Sequence, residues 1–254
     1  MKNIVISYKA GSCGDFLSIP FIATKKYFSV ISHHTLNDSG RMIPHWNTDF
    51  LKHFPKQPYL HHYSRDWAND LETLSKLNKP WLILSSDTNQ TKLIKNYFND
   101  NVNLVTINYS INSYLFVLKS FCNKVLDYPN YLTKDDIGEK FLNVVAKTQE
   151  QRQYFLNLSA QKKLGQWYFD NVMNGNIDYP REFYQVGDTE IFLDSIFNKS
   201  SIFKIIKKID SDVNLKTFEP IYDSWLQKQD LTYLEPTERF ELPTHGFEDR
   251  YSIH

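Results

Sequence analysis

A lysine, two glycines and a hydroxyl side chain stand close together after the first apolar segment of the chain. The segment Lys2–Tyr8 is rich in β-formers, and it is followed by Lys9-Ala10-Gly11-Ser12-Cys13-Gly14 and then by an apolar helix pattern. A helix start after a glycine-bearing turn offers unpaired N–H groups and the positive end of the helix dipole. Glycine lets the backbone approach a phosphate or sulfate closely. The pattern therefore predicts a pocket for an anionic group, with Lys9 as its cation.

The same stretch also fits a purely structural role. Ser12-Cys13-Gly14-Asp15 has the spacing of a capping box, with Asp15 in the acidic place. In that arrangement Asp15 would occupy the N–H groups that an anion needs, and its charge would repel a phosphate. The turn is neither a Walker A loop nor a G-x-G-x-x-G loop, because its glycines and lysine stand at other spacings. The sequence leaves both the anion site and the capping box open.

Most of the histidines fall in one irregular segment, from His33 to Ser64. They are His33, His34, His45, His53, His61 and His62. Their spacing matches no zinc motif, and no cysteine stands nearby, so a metal site is not expected. A loop over a pocket is a place where a catalytic base can sit, and His34 is the candidate base from this segment.

Strand and helix patterns alternate through the first half of the chain. Apolar runs at Ile4–Tyr8, Trp81–Leu84 and Val102–Ile107 predict strands. Helix patterns follow them at residues 14–28, 90–98 and 111–125. Such alternation indicates a parallel sheet with right-handed crossovers. The sequence therefore predicts an α/β fold in three layers, with a parallel sheet flanked by helices.

The second half is predicted to be mainly helical. Residues 149–173 form one long amphipathic pattern that ends near Gly175. A short strand is expected at Phe183–Val186, followed by helices near residues 189–198, 201–209 and 220–229. We expect one domain over residues 1–234, helical from about residue 133, and an irregular tail over residues 235–254.

Charge and composition narrow the classes of partner. Lysine plus arginine and aspartate plus glutamate number 29 each, so the formal net charge is +0. A neutral chain provides no basic field for nucleic acid, and its many aromatic residues are expected in the core. No apolar run has membrane-spanning length, and the first residues do not form a signal-peptide pattern. The two cysteines, Cys13 and Cys122, predict a reduced, cytoplasmic setting.

The turn after the first strand resembles the phosphosulfate-binding loop of the sulfotransferases. In that family a strand ends in Lys-x-Gly-[Ser/Thr]-[Ser/Thr] before a helix. Lys9, Gly11 and Ser12 match this pattern, and Cys13 stands where the family usually has a hydroxyl residue. The order of the later elements is loosely similar, although the loop alone matches as a motif. The resemblance implies a P-loop sulfotransferase fold and 3′-phosphoadenosine 5′-phosphosulfate as the co-substrate.

The resemblance implies a task for each matching position. Lys9 would neutralise charge on the bridging oxygen as the sulfonate leaves. The loop from Ala10 to Gly14 would cradle the 5′-phosphate through its N–H groups, helped by the Ser12 hydroxyl. Many members have a catalytic histidine at the end of the second strand, where this chain has Ser86 and Asp87. Asp87 is therefore a candidate base beside His34, because burial can raise the pKa of a carboxyl.

The chain departs from the family at the donor's 3′-phosphate. The family uses an arginine after the third strand and a serine on the following helix. Here the arginine position falls at Asn108 or Tyr109. Neither residue can replace the charge and the two parallel hydrogen bonds that an arginine gives to a phosphate. Lys119 and Ser120 are the candidate replacements on the helix.

Three functions remain open from the sequence. The first is transfer of a sulfonate group from the nucleotide donor to a hydroxyl of a small molecule or glycan. The second is a catalytically degenerate sulfotransferase-like protein with a binding or accessory role. The third is a divergent nucleotide-binding transferase or kinase, although the Walker lysine and an evident acidic Mg²⁺ ligand are missing. From the sequence we expect no nucleic-acid partner, no membrane and no bound metal.

Overall fold

The fold is built on a six-stranded sheet whose neighbouring strands are all parallel. The structure is a computed structural model that describes residues 2–24, 26–31, 59–61, 71–72, 74–78, 80–85, 88–127, 131–133 and 136–234. The strands are β1 (Asn3–Tyr8), β2 (Phe28–Ile31), β3 (Tyr59–His61), β4 (Trp81–Ser85), β5 (Val102–Asn108) and β6 (Thr189–Phe192). Their order in the sheet is β3-β2-β4-β1-β5-β6, so β1 lies between β4 and β5.

Helices follow most of these strands and fill the second half of the chain. They are α1 (Gly14–Ala23), α2 (Thr88–Phe98), α3 (Tyr114–Phe121), α4 (Asp136–Val145), α5 (Gln149–Ala160), α6 (Leu164–Met173), α7 (Leu193–Ile196), α8 (Lys199–Ile209) and α9 (Leu215–Leu226). Short 3₁₀ turns occur at Asn99–Asn101, Ile111–Ser113, Tyr131–Thr133 and Leu231–Leu234, and a π-helical turn at Cys122–Leu126. The predicted α/β class, a parallel sheet flanked by helices, is confirmed.

The three central strands are apolar on both faces, which requires helices on both sides of the sheet. All five residues of β4 are buried, as are the middle four of β1. On one face, Val5, Ile83 and Leu104 pack in a cluster with Ile94 of α2. On the side of α1, Phe16 stacks on Trp225 of α9, with ring centroids 3.8 Å apart. Burial of this kind explains why β1, β4 and β5 were predictable from their apolar runs.

The loop after β1 lies where the order of the strands reverses. The chain leaves β1 toward β2 on one side, and it leaves the neighbouring strand β4 toward β5 on the other side. Right-handed crossovers put the connections after these two strands on opposite faces of the sheet. In open parallel sheets, ligands bind in the crevice outside the carboxyl ends of two such strands. The segment Lys9–Gly14 begins at this crevice.

The chain divides into two compact units by its internal contacts. The larger unit comprises residues 1–121 and 181–234 and contains the sheet. The smaller unit, which includes residues 122–180, is helical among its described residues. Within it, Asp127 Oδ1 accepts a hydrogen bond from Gly165 N at 2.7 Å and so caps the start of α6. The single domain predicted over residues 1–234 stays a prediction, and the tail over 235–254 lies outside the described residues.

Three predicted elements are wrong: the strand at 183–186, the helix near 189–198, whose first four residues form a strand, and the single long helix over 149–173. Residues 183–186 do not form a strand, since Phe183 makes an isolated bridge to Tyr109 and the sheet strand is Thr189–Phe192. Pairing starts there because the Asp188 carboxylate accepts from Leu104 N at 2.8 Å, next to β6. The long helix predicted over 149–173 is two helices, because Lys162 takes a left-handed φ of 55° between them. Strands β2 and β3 were not predicted, and β3 falls in the segment expected to be irregular.

Candidate functional site

The loop between β1 and α1 begins with a tight turn closed on one carbonyl. Ser12 N donates to Lys9 O at 2.9 Å, and the Ser12 hydroxyl donates to the same oxygen at 2.6 Å. Ser12 is fully buried. Both donors of Ser12 therefore hold the turn, and the helix starts one residue later with Cys13 as its N-cap. The capping box predicted for Ser12 and Asp15 is wrong, and in this conformation the Ser12 hydroxyl stabilises the loop itself.

Gly11 is the point at which the turn meets helix α3. Its φ is +95°, and a Cβ at this position would lie 2.4 Å from Val117 O and 3.0 Å from Phe121 N. The left-handed backbone and the lack of space both exclude a side chain here. The sequence predicts this glycine for close approach to a phosphate, whereas its immediate neighbour in the fold is the backbone of α3. The loop is thereby fixed against a second helix.

Helix α1 begins without a side-chain cap. Cys13 has a left-handed φ of 65°, and its side chain makes no capping hydrogen bond. The first bond into the helix runs from Leu17 N to Cys13 O at 3.1 Å, so earlier N–H groups have no partner within the helix. Among the described residues, none accepts a hydrogen bond from the N–H of Gly11 or of Gly14. Donors of this kind are the ones that bind anions at helix starts.

Lys9 brings a positive charge to this loop. Its side chain is half-buried, and burial lowers the pKa of its ammonium from the ordinary value. Within the described ranges, the ammonium makes no hydrogen bond or ion pair. A cation that is partly removed from water and not neutralised is costly, and a nearby anion would favour its charged form. The loop thus combines the N–H groups of Gly11 and Gly14 with a half-buried cation that has no ion-pair partner among the described residues.

Tyr8 and Asp15 form a pair that spans the loop. The Tyr8 hydroxyl donates to Asp15 Oδ1 at 2.7 Å. Burial, and secondarily the Asp15 carboxylate, raise the pKa of Tyr8 well above its ordinary value, so the phenol stays protonated. The Tyr8 ring lies against Gly14, where a Cβ would come within 2.3 Å of ring carbons. Gly14 is therefore required by the packing of Tyr8.

The carboxyl ends of β4, β1 and β5 are joined by buried polar side chains. Thr91 of α2 donates to Ser85 Oγ at 3.1 Å and lies 3.2 Å from Ser7 Oγ. Ser7 in turn donates to Gln185 Oε1 at 2.6 Å. Ser7, Ser85 and Thr91 are all essentially inaccessible to water. This network fixes the strand ends from which the loop and the segment after Ser85 emerge.

Asn108 belongs to the same network. Its amide nitrogen donates to Gln185 O at 3.2 Å, and its oxygen accepts from Gln185 N at 2.9 Å. The residue is completely buried. Asn108, predicted to bind the donor, therefore holds the backbone of Gln185 in this structure.

The two predicted residues on α3 differ in their surroundings. Ser120 is 7% exposed, and its hydroxyl finds no hydrogen-bond partner within the described chain. It lies one turn from Val117 and next to Phe121, the residues that meet Gly11, so α3 brings Ser120 near the loop. Lys119 is half-buried at the neighbouring position. Of the predicted donor ligands beyond the loop, Ser120 has the unused hydrogen-bonding capacity that a ligand requires.

The predicted bases are not placed by the structure. Asp87 and His34 lie outside the described residues, as does Ser86. Ser85, the last residue of β4, lies opposite Ser7 in the register of the two parallel strands. Asp87 and His34 stay predictions.

Sequence reasoning missed Tyr8, Gln185 and Thr91 as contributors to this region. Tyr8 precedes the motif, and its partner Asp15 is separated from it by the whole turn, so no helical or strand period links them. Gln185 reaches Ser7 from a segment 178 residues away. The sequence did contain one signal for this network, which is a polar residue at or near the end of each apolar strand. These residues are Ser7, Ser85 and Asn108.

Three further observations concern metal ions, membranes and known proteins. Within the described ranges, no group of three or more His, Cys, Asp or Glu side chains could hold a metal ion. None of the described helices has both the length and the apolar character needed to cross a membrane. No model of a protein family matches the sequence, and no curated protein matches it either.

Proposed function

We propose that the Lys9–Gly14 loop binds the phosphosulfate end of 3′-phosphoadenosine 5′-phosphosulfate. The protein would then be a sulfotransferase of the P-loop type, which transfers the sulfonate to a hydroxyl of a small molecule or glycan. The observation that carries the proposal is Lys9, a half-buried ammonium without an ion-pair partner in the described chain. It stands beside the start of α1, where the N-cap Cys13 makes no side-chain capping hydrogen bond and the N–H groups of Gly11 and Gly14 have no acceptor among the described residues. An anion satisfies both at once.

The chemistry needs few groups from the protein. The acceptor oxygen forms a bond to sulfur while the bond from sulfur to the bridging phosphate oxygen breaks. The bridging oxygen keeps the electron pair, and Lys9 neutralises the charge that develops on it. The acceptor hydroxyl loses its proton to a base, for which Asp87 and His34 are the candidates. The products are the sulfate ester and adenosine 3′,5′-bisphosphate.

The position of the loop in the fold supports the same proposal. It follows the central strand β1 at the reversal of strand order, where open parallel sheets bind ligands. The two cysteines are not joined in a disulfide, which favours the proposed cytoplasmic setting.

Calorimetric titration with adenosine 3′,5′-bisphosphate tests the proposal. We expect saturable binding to the wild-type chain and its loss in Lys9→Ala. Lys208→Ala, which removes an exposed lysine of α8, is the matched control and retains the affinity. Absence of heat at millimolar ligand overturns the proposal. Once binding is established, release of the bisphosphate from the sulfonate donor is followed with a panel of hydroxyl acceptors.

A binding protein without catalysis is the second candidate function. The observation that favours it is Asn108, one of the two residues at which the family's arginine position falls, because both of its side-chain polar atoms are hydrogen-bonded to the backbone of Gln185. A site without a 3′-phosphate ligand would not distinguish the bisphosphate from a simpler phosphate. Comparable affinities for adenosine 5′-monophosphate and adenosine 3′,5′-bisphosphate would select this candidate, and a marked preference for the bisphosphate would exclude it.

A further inference from the structure

Gln185 is held through its backbone and its side chain by two strands of the sheet. Its backbone N and O are hydrogen-bonded to the side chain of Asn108, the last residue of β5, at 2.9 and 3.2 Å. Its Oε1 accepts from the hydroxyl of Ser7, in β1, at 2.6 Å. That length is typical of a hydrogen bond between two oxygens and is short for one from an amide nitrogen. The orientation of the Gln185 amide is therefore fixed, with its oxygen toward Ser7.

The extended segment that carries Gln185 is fixed on both sides of this residue. Before it, Phe183 exchanges two backbone hydrogen bonds of 3.0 Å with Tyr109. After it, the Asp188 carboxylate accepts from Leu104 N at 2.8 Å. A side chain on a segment anchored in this way keeps its position before any ligand arrives, which is the condition for a preorganised binding group.

The amide nitrogen of Gln185 has two N–H groups for which the described chain provides no acceptor. The hydrogen bonds of this residue involve its backbone N and O and its Oε1, and none involves Nε2. Gln185 is half-buried, and its Nε2 is accessible to solvent. Because Oε1 faces Ser7, the side of the amide that is open to a ligand carries N–H donors. A ligand at this position must therefore supply an acceptor.

These donors lie at the same edge of the sheet as the proposed anion loop. Ser7 is the last residue but one of β1, and Lys9 follows that strand directly. Asn108 ends the neighbouring strand β5. Gln185 thus lies at the carboxyl ends of two adjacent strands, outside which open parallel sheets bind their ligands. A phosphorylated ligand bound at Lys9 brings phosphate oxygens, which are acceptors, to this edge.

We propose that Gln185 is a ligand-binding residue that donates from Nε2 to a phosphate oxygen of the nucleotide held by Lys9. The inference rests on the proposed function of the Lys9–Gly14 loop. Lys9 supplies the charge, and the Gln185 amide supplies a directed hydrogen bond to a charged acceptor. Ser7 and Asn108 are positioning residues, because they act through Gln185. The 5′-phosphate and the 3′-phosphate offer the same oxygen chemistry, and the choice of nucleotide separates them.

Calorimetry of Gln185→Glu with adenosine 3′,5′-bisphosphate and adenosine 5′-monophosphate tests this role. Glutamate keeps an oxygen for Ser7 and replaces the N–H donors with a negative oxygen, so we expect the affinity to fall by about tenfold or more. A loss with both nucleotides assigns the contact to the 5′-phosphate, and a loss with the bisphosphate alone assigns it to the 3′-phosphate. Gln153→Glu makes the same charge change on an exposed glutamine of α5 and should keep both affinities.

A second measurement on the wild-type chain needs no substitution. The side-chain amide proton signals of Gln185 in an NMR spectrum should shift downfield at saturating bisphosphate, because these protons enter a hydrogen bond to a charged oxygen. Equal affinities of Gln185→Glu and Gln153→Glu for both nucleotides, or Gln185 amide signals that do not move, overturn the role of Gln185 alone. Absence of wild-type binding, or binding that survives Lys9→Ala, overturns the proposed function and this inference with it.

Discussion

Helices α1 and α5 both begin with backbone N–H groups that have no acceptor carbonyl within the helix. The two helix starts differ in how their side chains are arranged. At α5, Gln151 N donates to the Thr148 hydroxyl at 3.2 Å, and Gln151 Oε1 accepts from Thr148 N at 3.1 Å. At α1, the N-cap Cys13 is left-handed and caps nothing with its side chain. Asp15, the acidic residue of that first turn, is hydrogen-bonded to Tyr8.

The start of α5 is capped by the side chains of Thr148 and Gln151, whereas the N-cap of α1 makes no side-chain hydrogen bond and has a left-handed backbone. A left-handed residue other than glycine costs about 1–2 kcal/mol, and the unneutralised Lys9 adds an electrostatic cost. Unfavourable conformations of this kind persist when the surrounding structure fixes them, and they concentrate at functional sites. At α1 they are fixed by the contact of Gly11 with α3 and by the packing of Tyr8 on Gly14. We infer that the start of α5 is scaffold and the start of α1 is a site.

Removing the tertiary support of the α1 start should have the largest effect. In Gly11→Ala the new methyl group meets Val117 O at 2.4 Å on a backbone with φ of +95°. We expect the free energy of unfolding to fall by about 3 kcal/mol in a denaturant titration.

Gly175→Ala is the control for this substitution. Gly175 also has a positive φ, of +72°, but a Cβ there would meet nothing within 4 Å. The loss should be about 1 kcal/mol, from the left-handed backbone alone. Equal losses in the two variants would mean that contact with α3 does not support the loop.

Removing the local cap of α5 should have a smaller effect. Thr148→Ala deletes the hydroxyl that accepts from Gln151 N, and we expect the free energy of unfolding to fall by about 1 kcal/mol. Thr148→Ser retains the hydroxyl and should retain the stability. Neither change should alter affinity for adenosine 3′,5′-bisphosphate. A change in affinity equal to that of a loop variant would remove the distinction between the two helix starts.

The charge of Lys9 should give a small, pH-dependent effect. Burial lowers its pKa in the folded protein from the ordinary value of 10.5, so between the two pKa values the unfolded chain binds more protons. The free energy of unfolding of the wild type therefore rises with pH across this window. Lys9→Met should lack this rise, while Lys208→Met should keep it. Parallel pH profiles for the wild type and Lys9→Met would show that Lys9 is solvated like a surface lysine.

The sheet was largely predictable, because its central strands are apolar on both faces. The runs in β1, β4 and β5 stand out from their flanks, and the alternation with helices implied parallel pairing. The strands β2 and β3 have four and three residues, too few to establish a period in the sequence. The end of α5 depends on Lys162, whose left-handed φ of 55° is not favoured by its residue type.

The candidate site was predictable in place but not in its internal geometry. The motif located the loop, because strand, turn, lysine and glycine are adjacent in the sequence. The sequence did not show why glycine is required at positions 11 and 14. The space at these positions is limited by Val117 and Tyr8, which only the fold brings next to the two glycines. The capping box failed for a related reason. The sequence offers Ser12 both the helix N–H groups and the Lys9 carbonyl, and the closed turn favours the carbonyl.

The anion site at Lys9 is tested most directly by the pKa of the Lys9 ammonium. This pKa is measured with and without ligand, by NMR on the chain labelled at lysine. In the free protein we expect this pKa to lie below its ordinary value because of burial. Saturating adenosine 3′,5′-bisphosphate should raise it, because a bound anion stabilises the charged form. An unchanged Lys9 titration at a ligand concentration that saturates binding would contradict the claim that this loop holds the anion.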